Sequence, residues 1–332
     1  MNSVDTRCHE INPRISCVIP AYNEARNLPI VLPEIWQQLQ SVTDQFEIIV
    51  VNDGSHDDTF AVAHAMTAMC PKLVVVDLSR NFGKEAAMVA GLEIAQGDAV
   101  ILMDADGQHP VSLLPSMLAH WQNGLDVVYA VRKTRADQSR LQATLTGWFY
   151  RLINWGSRVK IPRDAGDFRL MDKRVVSVLV SLPERSRFMK GLYAWVGFPS
   201  VALEYEPLPR QQGQSSFGLK GSFGLAITGL LAFSTVPLRM LTLSGFVLAL
   251  ASMLYVLWVL VEYFYWGIQV PGYATLVVSI MFFSGVQLLA LGIMSEYIGR
   301  IYDEVKHRPL YVVRERAGLG LHCDFTHNEK NI

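Results

Sequence analysis

Two long stretches of this chain carry no charge, and they limit its architecture more than any other feature. Between Arg239 and Glu262, and again from Tyr263 to Ser295, there is no Asp, Glu, Lys, Arg or His. Each stretch exceeds the ~20 residues that a helix needs to cross ~30 Å of hydrocarbon. Within the second, Trp266, Gly267, Pro271 and Gly272 form a turn cluster, which divides the apolar region into helices expected at Met240–Tyr265 and Tyr273–Met294. A helical hairpin in a membrane follows, because lipid offers no partners to an open backbone. The alternative, two core helices of a soluble domain, fits less well, since core helices rarely run this long without a charge.

The flanks predict the orientation. Lys220 and Arg239 precede the hairpin, Arg300, Lys306, Arg308, Arg314 and Arg316 follow it, and the connecting loop is uncharged. Excess positive charge stays on the cytoplasmic side, so both termini are expected there. Met1 to Pro13 is polar and the next apolar run, Ile15 to Pro20, is too short for a secretory signal. Cys8, Cys17, Cys70 and Cys323 lack metal-ligand or CxxC spacing, as suits reduced thiols in the cytosol. With 29 Lys plus Arg against 30 Asp plus Glu, there is no basic field for a nucleic-acid partner.

From Ile15 to about Leu208 the pattern changes. Ile15–Ile19, Phe46–Val51, Leu73–Leu78 and Ala99–Met103 are short β-branched-rich runs, each followed by polar or Gly residues and then an amphipathic segment. This alternation predicts an α/β domain with a mainly parallel sheet. Helices are expected at Leu28–Gln40, Asp58–Met69, Lys84–Ala95 and Val111–Asn123, with Asp57 as N-cap of the second and Pro110 opening the fourth. Val201, Leu203 and Tyr205 alternate with Ala202, Glu204 and Glu206, which predicts a half-buried edge strand.

Ligands of open α/β sheets bind at the carboxyl ends of the strands. Four such ends carry polar clusters: Pro20 to Glu24, Asn52 to Ser55, Ser79 to Lys84, and Asp104 to Gln108. Singly, each reads as an ordinary turn; together they would converge on one rim. Asp104 and Asp106 flank a small residue, so in extended backbone both carboxylates project to the same side. With the Gln108 carbonyl they make a hard oxygen site suited to Mg²⁺ or Mn²⁺ bound to a substrate diphosphate. No GxGxxG follows the first strand and no GxxxxGK[ST] loop occurs, Leu219 standing where the latter's Lys would be; HExxH and GxSxG are also absent. A nucleotide held by carboxylates and a metal remains.

The motifs VIPAYNE, VVNDGSHDDT, RNFGKEAAMVAGL, DADGQHP, AGDFRLMDKRV, RQQGQSSF and STVPLR, in this order and followed by two apolar helices, resemble the family-two glycosyltransferases that attach a sugar to a polyprenyl phosphate. The resemblance runs from about Ile15 to Val313 and is greatest to bacterial bactoprenol glucosyltransferases. It implies a GT-A-like, Rossmann-related domain over 15–215, behind an N-terminal extension at 1–14. A juxtamembrane interfacial segment at 216–238, two membrane helices within 239–298 and a cytosolic tail at 299–332 would follow. The implied enzyme is inverting and metal-dependent, sits in the bacterial inner membrane, and moves a sugar from a nucleotide sugar, UDP-glucose favoured, to undecaprenyl phosphate. The product would be a lipid-linked sugar for modifying cell-envelope glycans such as lipopolysaccharide O-antigen.

By the same resemblance Pro20, Tyr22, Glu24, Asp53, Lys84, Asp104, Ala105 and Asp106 would contact the nucleotide sugar. Asp53 matches the acid for base or ribose. Asp104, Asp106 and Gln108 would hold the Mg²⁺ or Mn²⁺. Arg132 and Arg210 would face the phosphates, with Arg210, Ser215 and Lys220 toward the acceptor phosphate; Asp167 matches an acid proposed as base, with an orienting role as the alternative. Ser216 stands where many relatives carry Lys, and Gly107 where Leu is more usual. Homo-oligomerisation is left open. A processive polysaccharide synthase with a hydroxyl acceptor would need a QxxRW motif, which is absent, and a catalytically silent membrane scaffold would have no use for four polar strand ends.

Overall fold

The computed structural model describes residues 12–133, 147, 165–185, 187–206, 236–266 and 272–321. The four runs read as strands form β1 (Ile15–Ala21), β2 (Phe46–Asn52), β3 (Leu73–Leu78) and β4 (Ala99–Leu102). All four are fully buried, as strands covered by helices on both faces must be. They pair in parallel in the order β3-β2-β1-β4. The helices between them are α1 (Leu28–Gln40), α2 (Thr59–Thr67) and α3 (Lys84–Ile94). After β4 a turn of 3-10 helix at Val111–Leu113 leads into α4 (Leu114–Gln122). Asp57 was expected to cap α2; its carboxylate does accept the Thr59 N–H at 3.1 Å, but the cap position itself is Asp58.

Strands β5 (Val127–Arg132) and β6 (Ala165–Asp172) extend the sheet beyond β4, followed by α5 (Lys173–Ser181), α6 (Met189–Trp195) and β7 (Ser200–Tyr205). Here the topology departs from simple βαβ winding. β6 inserts between β4 and β5 and runs antiparallel to both, while β7 lies parallel to β5 on the outer edge. The alternation expected for that edge holds: Val201 and Leu203 are half-buried, Tyr205 is buried, and Ala202 and Glu204 are exposed.

The apolar stretches form α7 (Val236–Trp266, 31 residues) and α8 (Tyr273–Val305, 33 residues), which touch each other. Within α8 the segment Ser279–Val305 is long and apolar enough to cross a membrane, and none of its most apolar window is buried. α7 contributes a shorter apolar run, Met240–Tyr255. Phe246, Leu250, Leu257, Trp258, Phe282 and Leu288 are all exposed. Core helices would be covered; an apolar surface of this extent fits lipid.

Helix α8 does not stop at Met294, where hydropathy placed its end. It continues through a charged turn in which Arg300 pairs with Glu296 four residues earlier, at 3.3 Å, because leaving hydrocarbon does not break a helix made of good helix formers. At ~1.5 Å per residue such a helix is about 50 Å long and outreaches the ~30 Å hydrocarbon core. Its last turn meets the α/β domain, where Glu304 accepts the Arg185 N–H at 2.9 Å. The tail is then no free extension. Val313–Ala317 forms β8, antiparallel to β3, and completes an eight-stranded sheet of order β7-β5-β6-β4-β1-β2-β3-β8.

Gly318 follows β8 at φ +91°, and a Cβ there would lie 1.9 Å from the Leu73 carbonyl oxygen. Gly318→Ala should therefore displace β8 from the edge at a cost of about 2 kcal/mol or more in local stability. The readout is faster proteolysis or hydrogen exchange at residues 313–317, with β1 to β4 still protected.

Candidate active site

The register of β4 against β6 assembles the site. Leu102 pairs with Arg169 in an antiparallel ladder, so Asp104, two residues after Leu102, and Asp167, two residues before Arg169, come opposite each other. Both lie at the edge where β1, β2 and β3 also end. Lys84, the first residue of α3, reaches between them: its Nζ lies 2.6 Å from Asp104 Oδ1 and 2.8 Å from Asp167 Oδ2. Burial opposes the ammonium charge, but Asp167 and Asp104 outweigh it and hold Lys84 above the usual lysine range. Burial likewise opposes ionisation of Asp167, yet Lys84, then Lys190 and Arg169, keep it well below the usual carboxylate range. The two acids expected to do different jobs thus share one cation.

Around Asp104 the turn is tightly specified. Asp106 Oδ1 accepts the Gln108 N–H at 3.1 Å, and Gly107 sits at φ +72°, which explains why glycine stands there. Gln108 Oε1 accepts from Arg132 Nη2 at 3.0 Å, and Arg132 Nε donates to the Tyr205 hydroxyl at 3.3 Å. Arg132 therefore reaches the rim from the end of β5. His109 accepts the Asp104 N–H on Nδ1 at 3.1 Å and stacks on Phe168, ring centroids 4.8 Å apart. Burial pushes its pKa down despite Asp104 and Asp106.

Two carboxylates on one short turn, with an amide carbonyl next to them, are a donor set that fits a divalent cation whose remaining ligands come from a diphosphate and water. No group of three His, Cys, Asp or Glu that could hold a metal by itself occurs among the described residues. The Gln108 carbonyl is committed to Arg132, so as a metal ligand it would have to use its second lone pair or let Arg132 go.

The loops after β1, β2 and β3 lock one another. Pro20, one residue before the end of β1, pairs with Val51, and Tyr22 packs edge-on against His56. Glu24 holds Asn27 through its carboxylate and Thr59 through its N–H. Asp53 is buried and accepts the Phe82 N–H at 2.7 Å and the Gly83 N–H at 3.0 Å. Its first task is thus to tie the loop after β3 to that after β2; a ribose would have to share those oxygens. Burial raises its pKa in spite of both hydrogen bonds and Arg80. Gly54, at φ +58°, lets the second loop pass: a Cβ would lie 2.2 Å from the Arg80 carbonyl carbon.

Of the expected site residues, Pro20, Tyr22, Glu24, Asp53, Lys84, Asp104, Ala105, Asp106, Gln108, Arg132 and Asp167 belong to this one sheet edge. Arg210, Ser215 and Lys220, with most of the juxtamembrane segment, lie outside the described residues. Several neighbours carried no sequence signal. Glu85 accepts the Met189 N–H at 2.9 Å, and burial together with Asp167 pushes its pKa up to about 8. Arg169 is buried, with its guanidinium carbon 3.3 Å from the Tyr193 ring centroid. A lone Glu at a helix start and an Arg inside a strand look like solvated charges until the fold covers them.

Because Glu85 holds its proton to about pH 8 in the folded protein and releases it near the ordinary carboxylate range once unfolded, the folded state binds the extra proton between those values. Its contribution to stability falls as pH rises through that window and is flat above it. Glu85→Gln should remove this slope. In thermal unfolding of the detergent-solubilised protein, Tm of the variant relative to wild type should rise from about pH 5 to about pH 8 and then level off.

Comparison with known proteins agrees with this geometry. The model of glycosyl transferase family 2 matches residues 16–179, and that of the GtrB C-terminal hairpin matches residues 236–301. Over 305 residues the chain is 42% identical to an uncharacterized glycosyltransferase of Synechocystis, covering 92% of this chain and 96% of that one. It is 42% identical over 301 residues to the bactoprenol glucosyl transferase of Shigella phage SfV, covering 91% and 98%. A prophage bactoprenol glucosyl transferase homolog of Escherichia coli is 39% identical over 301 residues, covering 91% and 98%. With a GT-A-like sheet, an acidic turn at its rim and the apolar helices behind it, the chain is a glycosyltransferase of family 2 and belongs with the members that carry the GtrB C-terminal hairpin.

Proposed function

We propose that this enzyme transfers a glucosyl group from a nucleoside diphosphate sugar, UDP-glucose by preference, to a polyprenyl phosphate at the cytosolic face of a bacterial inner membrane. The observation that carries the acceptor class is the state of Asp167. A sugar hydroxyl needs a positioned base whose pKa lies near the working pH. Asp167 is instead engaged by Lys84 Nζ at 2.8 Å, a contact that favours its ionised form and opposes proton uptake. A phosphomonoester, with its second pKa near 6, is already largely dianionic at neutral pH and needs no base. The relatives named bactoprenol glucosyl transferases support the same acceptor.

In this reading an oxygen of the lipid phosphate attacks C1 of the sugar from the face opposite the diphosphate. The C1–O bond to the diphosphate breaks, and its electron pair leaves with the nucleoside diphosphate, inverting the anomeric centre. The task of the protein is to hold two anions together and to stabilise the charge of the leaving group. Asp104 and Asp106 would hold a Mg²⁺ or Mn²⁺, which supplies electrostatic stabilisation of the diphosphate. Arg132 adds a fixed guanidinium from β5. Asp167 keeps Lys84 aimed at the rim, and Arg210, Ser215 and Lys220 are proposed for the lipid phosphate. Addition of the lipid-linked glucose to an envelope glycan such as O-antigen is the corresponding downstream use.

The test is transfer of radiolabelled glucose from UDP-glucose to undecaprenyl phosphate by the purified protein, with a neutral prenol in parallel. Labelled lipid should form only from the phosphate, EDTA should stop it, and Asp106→Asn should lower the rate by about 10²-fold or more while the protein stays folded. Efficient transfer to the neutral prenol would contradict the acceptor assignment; full activity in EDTA would contradict the metal.

We also place both termini in the cytosol. β8 lies in the same sheet as β1, so the chain before and after the apolar helices shares one compartment and crosses the membrane an even number of times. In intact cells a membrane-impermeant thiol reagent should label a Cys placed at Gln269 but not one placed at Asn2 or Lys330. Outside labelling of Asn2 would reverse the orientation.

A further inference from the structure

Strand β8 reaches the sheet only after the chain has passed through both apolar helices, yet it makes polar contacts that lead into the nucleotide-side rim. Arg314 extends one guanidinium nitrogen to Asp77 Oδ2 at 3.2 Å and donates with the other to the Ser79 carbonyl at 2.8 Å. Asp77 is almost fully buried, and its second oxygen accepts from Asn52 Nδ2 at 2.7 Å. Asn52 Oδ1 accepts both the hydroxyl of Ser55, at 2.5 Å, and its N–H, at 3.3 Å. The Ser55 hydroxyl oxygen in turn accepts the Asn23 N–H at 2.9 Å. The Ser79 N–H donates to the Val312 carbonyl at 2.9 Å, so the loop after β3 is held to the same tail segment by backbone as well.

The direction of every bond in this series is dictated from one end. A carboxylate only accepts, so Asp77 obliges the Asn52 amide to present its NH₂ to it and its carbonyl to Ser55. That orientation in turn points the Ser55 hydroxyl proton at Asn52 and leaves its oxygen for Asn23. A buried carboxylate is stable in this role only with a countercharge, and Arg314 supplies one from the tail. We propose that Arg314 is a positioning residue for the nucleotide sugar: through Asp77 and Asn52 the tail strand sets the loops after β1, β2 and β3 in their binding arrangement. Arg314 itself touches neither substrate nor reacting atoms. The inference rests on the reading of that rim as the nucleotide site, and it names a regulation of that site by the segment that leaves the membrane.

The experiment uses the full chain in detergent, with calorimetric titration of UDP and of GDP in the presence of Mn²⁺, and steady-state transfer varied in donor and in undecaprenyl phosphate. Arg314→Ala should weaken binding of whichever nucleoside diphosphate the wild type binds by about tenfold, as loss of a charge-assisted contact would. Donor KM should rise by the same factor, with kcat and lipid KM within about twofold. Asp77→Asn should reproduce this, and the double variant should be no worse than either, because both cut one series. Arg314→Lys can pair with Asp77 but cannot also reach Ser79, and should lose about threefold; it carries the same test should Arg314→Ala fail to fold. Glu315→Gln on the same strand should match wild type.

Unchanged nucleotide affinity in Arg314→Ala and Arg314→Lys, or a fall confined to kcat, would overturn the proposal while leaving the nucleotide site in place. If the wild type binds neither nucleoside diphosphate with Mn²⁺, the reading of the rim fails, and the inference with it.

Discussion

A single ammonium group shared by two carboxylates organises this molecule's chemistry. Lys84 can sit between Asp104 and Asp167 only because β6 runs antiparallel to β4 in the register that sets those acids across from each other. Were the inserted strand parallel, the start of β6 would lie at the far edge of the sheet, and Asp167 with it. The shared cation couples Asp104 to Asp167. It gives both carboxylates a countercharge in a partly dry site, where an unpaired carboxylate would be costly.

The rim has a similar economy on its other side. The loops at this rim are one another's supports: Asp53 holds the loop after β3, Asn23 and Ser55 join the loops after β1 and β2, and Gly54 lets two backbones pass in contact. Such cross-bracing keeps irregular backbone satisfied without water and preorganises the site before substrate arrives. It also means that a variant here changes several loops together, so loss of activity by itself does not identify a contact residue.

The apolar helices are more than an anchor beside the catalytic domain. Helix α8 outreaches the bilayer, docks Glu304 on the Arg185 backbone, and hands the chain to β8, which seals the edge of the sheet next to β3. Tyr311 adds a hydrogen bond to Glu93. An exposed strand edge would otherwise invite association with another chain. The same pairing ties the orientation of the sheet to that of the helix.

What was legible in the sequence was whatever depends on near neighbours. Charge-free runs mark apolar helices because each residue there meets hydrocarbon. β-branched runs mark β1 to β4, and the acidic and glycine residues at their ends mark the rim, since strand, turn and strand-end chemistry are set within a few residues. The motif resemblance carried the family, and with it Asp167 and Arg132. What only the tertiary structure decided was the partner of each charge. Asp167 and Arg169 sit two apart in β6, a strand buried between antiparallel neighbours, and Arg314 reads as a positive flank until β8 pairs with β3. These contacts join segments far apart in the chain. Pairing of that kind is chosen by the free energy of the whole sheet rather than by local preference, so no short pattern records it.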